Sequence, residues 1–397
     1  MKFLHVSPEQ MLLDSFKLGR TVYEQGFRPK HAISIWRGGT PVGLGVSAYF
    51  RSRGIQISHT SIATESYTGI GNSAEVIIKG LEHLVRIVCP EDSLLIIDDV
   101  YERGETVGTV IEALRGRARA NAPSDIRVAT IHRKPGKVTW EGVPVICLED
   151  VDDDVWIDYP HELADMVTED PEDPLIMDKD PEIHALLRQD YFEPVEEDLG
   201  GSYRYIQPRE LMMDSIRLGI NIFRDSDFVP DYLIALWPGG IEAGLPVHEV
   251  YKYLAKKEGK GRKLPDHISI NTIPTYKSYQ TDFIGLDYLV DRINTSDKIL
   301  IIDSTFKSGS HVNTAIAKLK EHLRRNLNHK NVRVASLYWN TDDRSTWTTR
   351  PEFKQPHYYL KKTNRPIIYP FSIHRLASPH KELAQLNPAL HRLLFAG

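Results

Sequence analysis

The sequence predicts an α/β architecture built as two tandem, doubly wound parallel-sheet domains, and three observations lead there. Short apolar runs that read as buried strands alternate with amphipathic helical stretches. The same series of segments occurs twice, in the same order. A length of 397 residues suits two domains better than one and leaves ample core for each.

The repeat opens with PEQMLLDSFKLG, Pro8 to Gly19, answered by PRELMMDSIRLG, Pro208 to Gly219. Apolar residues three and four apart predict an amphipathic helix in each. Next comes an apolar run ending in tryptophan and paired glycines, ISIWRGGTPVGLGV in the first half and LIALWPGGIEAGLPV in the second. Each reads as a buried strand, a tight glycine turn and a helix. Ser66-Tyr67 answers Ser278-Tyr279, LLIIDDVYERGETV answers ILIIDSTFKSGSHV, and IRVATIHRK answers VRVASLYWN. Five matches in one order make coincidence a poor explanation. Between the copies, Thr168 to Gly201 is rich in Asp, Glu and Pro, with helical periodicity only around Ile183 to Leu187, and reads as an acidic linker with one short helix. The expected domains are therefore 1–167 and 202–397, joined by 168–201. In parallel sheets of this kind, ligands are expected at the carboxyl ends of the strands.

Composition excludes several function classes. Apolar residues make up 41% and charged residues 26%, with no apolar run long enough to span a bilayer. The start, MKFLHVSPEQ, lacks the apolar stretch of a secretory signal, and two cysteines, Cys89 and Cys147, are too few for a disulfide framework. A cytoplasmic protein with its cysteines as small core residues is expected. A net charge of -5 argues against coating nucleic acid, and the basic run Lys256, Lys257, Lys260, Arg262 and Lys263 reads as a solvated helix end and loop. Neither nucleic acid nor membrane is expected as a partner.

The sharpest local signal is Leu94 to Thr106. Four apolar residues, Leu94, Leu95, Ile96 and Ile97, lead into Asp98-Asp99 and then a loop holding Glu102, Gly104 and Thr106. A buried strand here delivers two carboxylates to its carboxyl end, where they can accept hydrogen bonds from paired hydroxyls or lie near a divalent cation. The loop, opening a helix at Val107, offers backbone N–H groups to an anion such as phosphate. An ordinary solvated strand end is the plainer account of the same residues.

This segment resembles the ribose-phosphate-donor signature of type I phosphoribosyltransferases, in which apolar residues lead into two acids and a D-T-G-x-T-like loop. The resemblance implies that Asp98 and Asp99 hold the ribose of a magnesium-bound (Mg2+) phosphoribosyl diphosphate and lie near its metal. It also implies that Arg103, Gly104, Glu105 and Thr106 cradle the 5'-phosphate, and that Glu102 stands where the family has its acid/base carboxylate. Arg103 departs from the pattern by replacing a threonine, which removes one hydroxyl. Glu105 adds a negative charge beside the phosphate unless it points outward. Trp36-Arg37-Gly38-Gly39 resembles the family's pyrophosphate loop, where glycine admits the backbone and arginine adds charge. Ser66-Tyr67 resembles the serine-tyrosine pair of the loop that closes over 6-oxopurine sites.

VATIHRKPGK followed by DDDVWIDYP is similar to the base-recognition part of bacterial xanthine-guanine and hypoxanthine phosphoribosyltransferases. Carried over, Lys134 meets the 6-oxo group, Trp156 stacks on the base and Ile157 offers backbone contacts. A cation at an exocyclic oxygen and a flat ring against a purine are chemically apt.

In the second half Asp303 persists, but Ser304 replaces the second acid, Lys307 the acid/base carboxylate and His311 the last threonine. Pro238 stands for Arg37, Asn340 for Lys134, and Pro366 for the stacking tryptophan. Donor chemistry is not expected there, although Ser308, Gly309 and Ser310 offer a phosphate site. The resemblance implies an intrachain pseudo-dimer or a homo-oligomer; two independent domains on a tether are the alternative. The expected activity is phosphoribosyl transfer to a 6-oxopurine-like base with release of diphosphate, in nucleotide salvage or a related pathway. A non-catalytic regulator that binds phosphoribosyl diphosphate or a nucleotide, or a transferase for a specialised heterocycle, are the competing readings.

Overall fold

Fully buried apolar strands carry the architecture of the computed structural model, which describes residues 2–67, 75–168, 174–197, 200–259, 262–271, 285–342 and 352–395. The chain divides into two compact units, 1–157 with 369–397, and 158–368.

The first unit runs through β1 (Lys2–His5), α1 (Pro8–Glu24), β2 (His31–Trp36), α2 (Gly39–Ser52), β3 (Ser58–Tyr67), β4 (Glu75–Lys79), α3 (Glu82–Ile87), β5 (Ser93–Tyr101), α4 (Glu105–Ala118), β6 (Asp125–Arg133), β7 (Val145–Asp150) and β8 (Val155–Asp158). Ser7 caps α1 by accepting the Gln10 N–H at 3.1 Å, and Pro8 presets its first turn. Met11, Leu12, Phe16, Leu18 and Val22 form its buried stripe. The six-stranded sheet has the order β4-β3-β2-β5-β6-β7. Every pair is parallel except β3 with β4. All six residues of β2 and Leu94 to Ile97 of β5 are buried, as expected of strands covered by helices on both faces. The strand order reverses between β2 and β5, so their carboxyl ends flank the crevice where α2 and α4 begin.

The second unit contains α5 (Pro174–Lys179), α6 (Pro181–Leu186), β9 (Val195–Glu197), β10 (Arg204–Tyr205), α7 (Pro208–Arg224), β11 (Tyr232–Trp237), α8 (Gly239–Glu258), β12 (Asp266–Asn271), α9 (Leu286–Val290), β13 (Ile299–Phe306), α10 (Ser310–Leu323), β14 (Val332–Asn340), β15 (Tyr358–Thr363) and β16 (Ile367–Ile368). Its six-stranded sheet, ordered β12-β11-β13-β14-β15-β9, is parallel throughout.

Several expectations need correction. The segment 168–201 is not a tether: its described part forms α5, α6 and β9, and Ile176, Ile183, Leu186 and Leu187 are buried in a core with Met212, Ile216 and Phe223. Asp180 caps α6 and is held by Arg209 at 2.7 Å. The division between units therefore falls at 157 and not at 167. It falls again at 368, because the C-terminal helices α11 (Pro379–Leu386) and α12 (Pro388–Phe395) belong to the first unit. Leu383, Leu390 and Leu394 are buried, and Arg53 donates to the Leu394 carbonyl at 3.2 Å. Cys89 is exposed and Cys147 only half-buried, so neither is a core residue. Cys89 lies at a turn, where its N–H donates to Asp92 at 2.9 Å. Of the basic run, Lys256 and Lys257 are exposed in the last turn of α8, whereas Arg262 lies over the Phe223 ring. No described helix is long and apolar enough to cross a membrane.

Candidate active site

Asp98 and Asp99 end the buried run of β5. The Asp99 N–H donates to Asp98 Oδ1 at 3.1 Å, and the Val100 N–H to Asp99 Oδ1 at 2.8 Å. Asp98 is half-buried and Asp99 is 8% exposed. Burial, and then the charge of Asp99, drive the Asp98 carboxyl well above the usual carboxylate range, although backbone N–H groups of Asp99 and Gly39 oppose the shift.

The start of α2 packs directly on this acidic tip. A Cβ on Gly38 would lie 1.7 Å from Asp99 Oδ2, and one on Gly39 would lie 2.3 Å from the Ile97 carbonyl oxygen. Only glycine permits that approach. The peptide bond between Trp36 and Arg37 is cis, and the Arg37 carbonyl accepts from the Thr40 N–H and hydroxyl at 3.1 and 2.7 Å. Arg37 follows β2, the strand paired with β5, and leads into the two glycines that pack on the acidic tip.

Past the acids, Gly104 takes a left-handed conformation, φ 80°, and caps α4. The helix begins at Glu105 and not at Val107, because this glycine turns the chain two residues earlier than the sequence suggests. Glu105 and Thr106 occupy its first turn, where backbone N–H groups have no helical acceptor. Glu105 is exposed and points away to Arg103, itself exposed, across 3.9 Å. The loop is braced from behind by a segment that sequence reasoning did not single out. The Thr139 and Trp140 N–H groups both donate to the Arg103 carbonyl at 3.1 Å, and the Tyr101 hydroxyl donates to the Trp140 carbonyl at 2.5 Å. Gly104 and Gly108 leave room for Tyr101 and Trp140.

Lys134, 6% exposed, stands just beyond β6 and reaches Glu102 Oε1 at 3.2 Å. Lys137 reaches the same oxygen at 2.5 Å. Burial would raise the Glu102 carboxyl, but the hydrogen bonds and charges of Lys137 and Lys134 outweigh it and hold the group below its ordinary value. Residues 32 apart in sequence therefore meet at one carboxylate. Lys137 belongs to the same KPGK stretch as Lys134, and its three-residue offset was the available signal.

Gly136 packs against Asp153, whose Oδ2 lies 2.0 Å from where a Cβ would be. This contact brings the loop before β8 beside the lysine turn. Trp156, in β8, is 40% exposed and therefore not a core tryptophan, while Ile157 is 6% exposed. His132, in β6 two residues before Lys134, has its ring held below its ordinary pKa by burial, against the charges of Glu149, Asp14 and Asp99. Ser66 and Tyr67 end β3, but their side chains lie outside the described residues, as do Ser278 and Tyr279 altogether.

At the equivalent tip in the second unit, Asp303 accepts from Ser304 N–H at 2.8 Å and pairs with His311 Nδ1 at 3.0 Å. Gly309, φ 66°, caps α10 as Gly104 caps α4. Asn340 donates to the Arg365 carbonyl at 2.7 Å.

No protein-family model matches the chain, and no curated protein matches it in sequence. Among solved structures, the fold is similar to a hypothetical protein from Neisseria gonorrhoeae determined with bound ppGpp, at 19% identity, covering 40% of this chain and 88% of that one, with a TM-score of 0.34. It is also similar to a purine phosphoribosyltransferase from Pyrococcus horikoshii, at 22% identity over 40% and 94% of the two chains, TM-score 0.32. A xanthine-guanine-hypoxanthine phosphoribosyltransferase from Helicobacter pylori matches at 18% identity over 40% and 91%, TM-score 0.30. These likenesses concern part of the chain and do not bear on its activity.

Proposed function

We propose that the first unit transfers a phosphoribosyl group from magnesium-bound phosphoribosyl diphosphate to a 6-oxopurine-like base and releases diphosphate. The observation that carries the reading is the meeting of Glu102 with Lys134 beside the acidic strand end and the start of α4. A proton acceptor, a cation for an exocyclic oxygen, two carboxylates and unpaired helix N–H groups are the set this transfer needs.

In the transfer, the bond from the ribose anomeric carbon to diphosphate breaks and a bond to a base nitrogen forms. The proton leaving that nitrogen passes to Glu102, which its lysine partners keep ionised. Lys134 donates to the 6-oxo oxygen and favours the base form with charge there. Arg37 and the amides at the start of α2 face the departing diphosphate, and the first turn of α4 faces the 5'-phosphate. Trp156 offers an exposed ring to the base. Asp98 and Asp99 fit both ribose hydroxyls and a divalent cation, because adjoining carboxylates supply hard oxygen donors and their mutual repulsion is relieved by either. Bound there with the donor, magnesium would neutralise charge on the diphosphate.

The second unit does not share this role in our reading, since its remaining acid is already engaged by His311. A regulator that binds the donor without turnover is the competing reading, favoured by the exposed Arg103 where a hydroxyl would serve the phosphate.

Diphosphate release from the full chain with magnesium, phosphoribosyl diphosphate and hypoxanthine, guanine, xanthine or adenine tests the proposal. Turnover is expected with 6-oxopurines and not adenine, reduced by about 10²-fold or more in Asp99→Asn and Lys134→Ala. Tight donor binding without turnover on any base would establish the regulator instead.

A further inference from the structure

Two lysines converge on one oxygen of Glu102, and they are not equivalent. Lys134 has a side chain only 7% exposed and sits at 3.2 Å, whereas Lys137 is 38% exposed and makes the shorter contact, 2.5 Å. The lysine turn is built to return Lys137 to this place. Pro135 fixes its first position, the Lys137 N–H closes it on the Lys134 carbonyl at 3.1 Å, and Gly136 lets it settle against Asp153. Asp153 adds a favourable charge for the Lys137 ammonium.

In the proposed reaction the Lys134 ammonium is shared between the oxygen of the base and Glu102, so less of its charge is left to Glu102. A half-buried carboxylate that loses its partner is costly and tends to take up a proton. We propose that Lys137 is the positioning residue that keeps the Glu102 carboxylate in place as proton acceptor while Lys134 engages the base. This inference rests on the reading of the first unit given above. Among the described residues, the charged groups facing Glu102 are Lys134 and Lys137, with Asp153 beyond Lys137. In sequence, the second half reverses the arrangement, with Lys307 in the place of Glu102 and Asp343 three residues after Asn340; Asp343 lies outside the described residues.

The test uses the full chain as wild type, Lys137→Ala and Lys137→Arg. Carbon NMR titration of the Glu102 carboxyl, without substrate, should show its midpoint moving up by about 1 pH unit in the alanine variant and returning in the arginine variant. The acidic limb of kcat, which reports the enzyme with base bound, should move in the same direction, with the KM for phosphoribosyl diphosphate unchanged. An unmoved carboxyl midpoint overturns the inference whatever the turnover. A moved midpoint with an unmoved acidic limb overturns it too, leaving Lys137 a structural partner only. If the wild type turns over no base, the catalytic reading itself fails, and the carboxyl midpoint alone then decides whether Lys137 governs Glu102.

Discussion

The two strand–loop–helix segments, β5 to α4 and β13 to α10, share their backbone and differ in their chemistry. Each has a buried strand, a left-handed glycine at the cap and a helix of 14 residues. Each also follows a cis peptide bond after the tryptophan of the neighbouring strand, Trp36-Arg37 and Trp237-Pro238. Yet the first tip carries two acids and a carboxylate clamped by lysines, and the second an acid closed off by His311. The frame is held by apolar burial and by glycines that allow close approach, so it survives when the charged side chains change. What the tip can bind depends on the few charged side chains that this apolar frame does not specify.

The comparison breaks most severely if the C-terminal segment is removed. Truncation after residue 368 strips the first unit of buried Ile373, Leu376, Leu383, Leu390 and Leu394. Fully burying such side chains is worth about 1.5–3 kcal/mol each, so together they rival the stability of an ordinary domain. Segment-resolved hydrogen exchange should show the first unit losing protection while β11, β13 and β14 keep theirs. Retained protection throughout the first unit would show that the tail is dispensable.

A subtler substitution separates the two tips. Gly38→Ala forces Asp99 Oδ2 aside, while a Cβ at Gly239 meets the Ser304 hydroxyl at 2.8 Å, at a tip without the second acid. Diphosphate release should fall by about 10²-fold in the first variant and stay at the wild-type level in the second. Equal losses would mean that the second unit takes part in turnover.

The smallest effect sharpens the contrast through acid. In the second unit, burial raises the Glu210 carboxyl, but Lys361 and Arg204 outweigh it and hold it below 4.5. A depressed carboxyl stabilises the fold above its unfolded value, and that contribution is lost as pH falls through the folded value. Gln10 stands at the matching place in the first unit. Glu210→Gln should therefore lower stability by about 1–3 kcal/mol at neutral pH, with the gap to wild type closing as pH falls below 4.5. A gap independent of pH in denaturant titrations would assign the effect to packing.

Much of the frame was legible in advance. Leu94 to Ile97 and the residues before Trp36 announce buried strands, and Gly38-Gly39 announces a close approach that the clash with Asp99 explains. Glu102 and Lys134 are legible as candidates for one site, and the Lys134 ammonium donates to Glu102 at 3.2 Å. Lys137 is not, because a lysine in a Pro-Gly turn looks like surface until the turn closes on a carboxylate. Trp140 is illegible for a similar reason: its contacts with Gly104 and Gly108 come from an irregular stretch without periodicity.

Apolar period, glycine placement and the order of segments fixed the α/β class and the positions of the acids in this chain, because those signals act over neighbouring residues. Only tertiary packing decided that 168–201 helps build one unit and 369–397 another, and that Lys137 joins Lys134 on Glu102. Such choices depend on which buried surfaces and opposite charges meet across distant parts of the chain, and local pattern carries no record of that meeting.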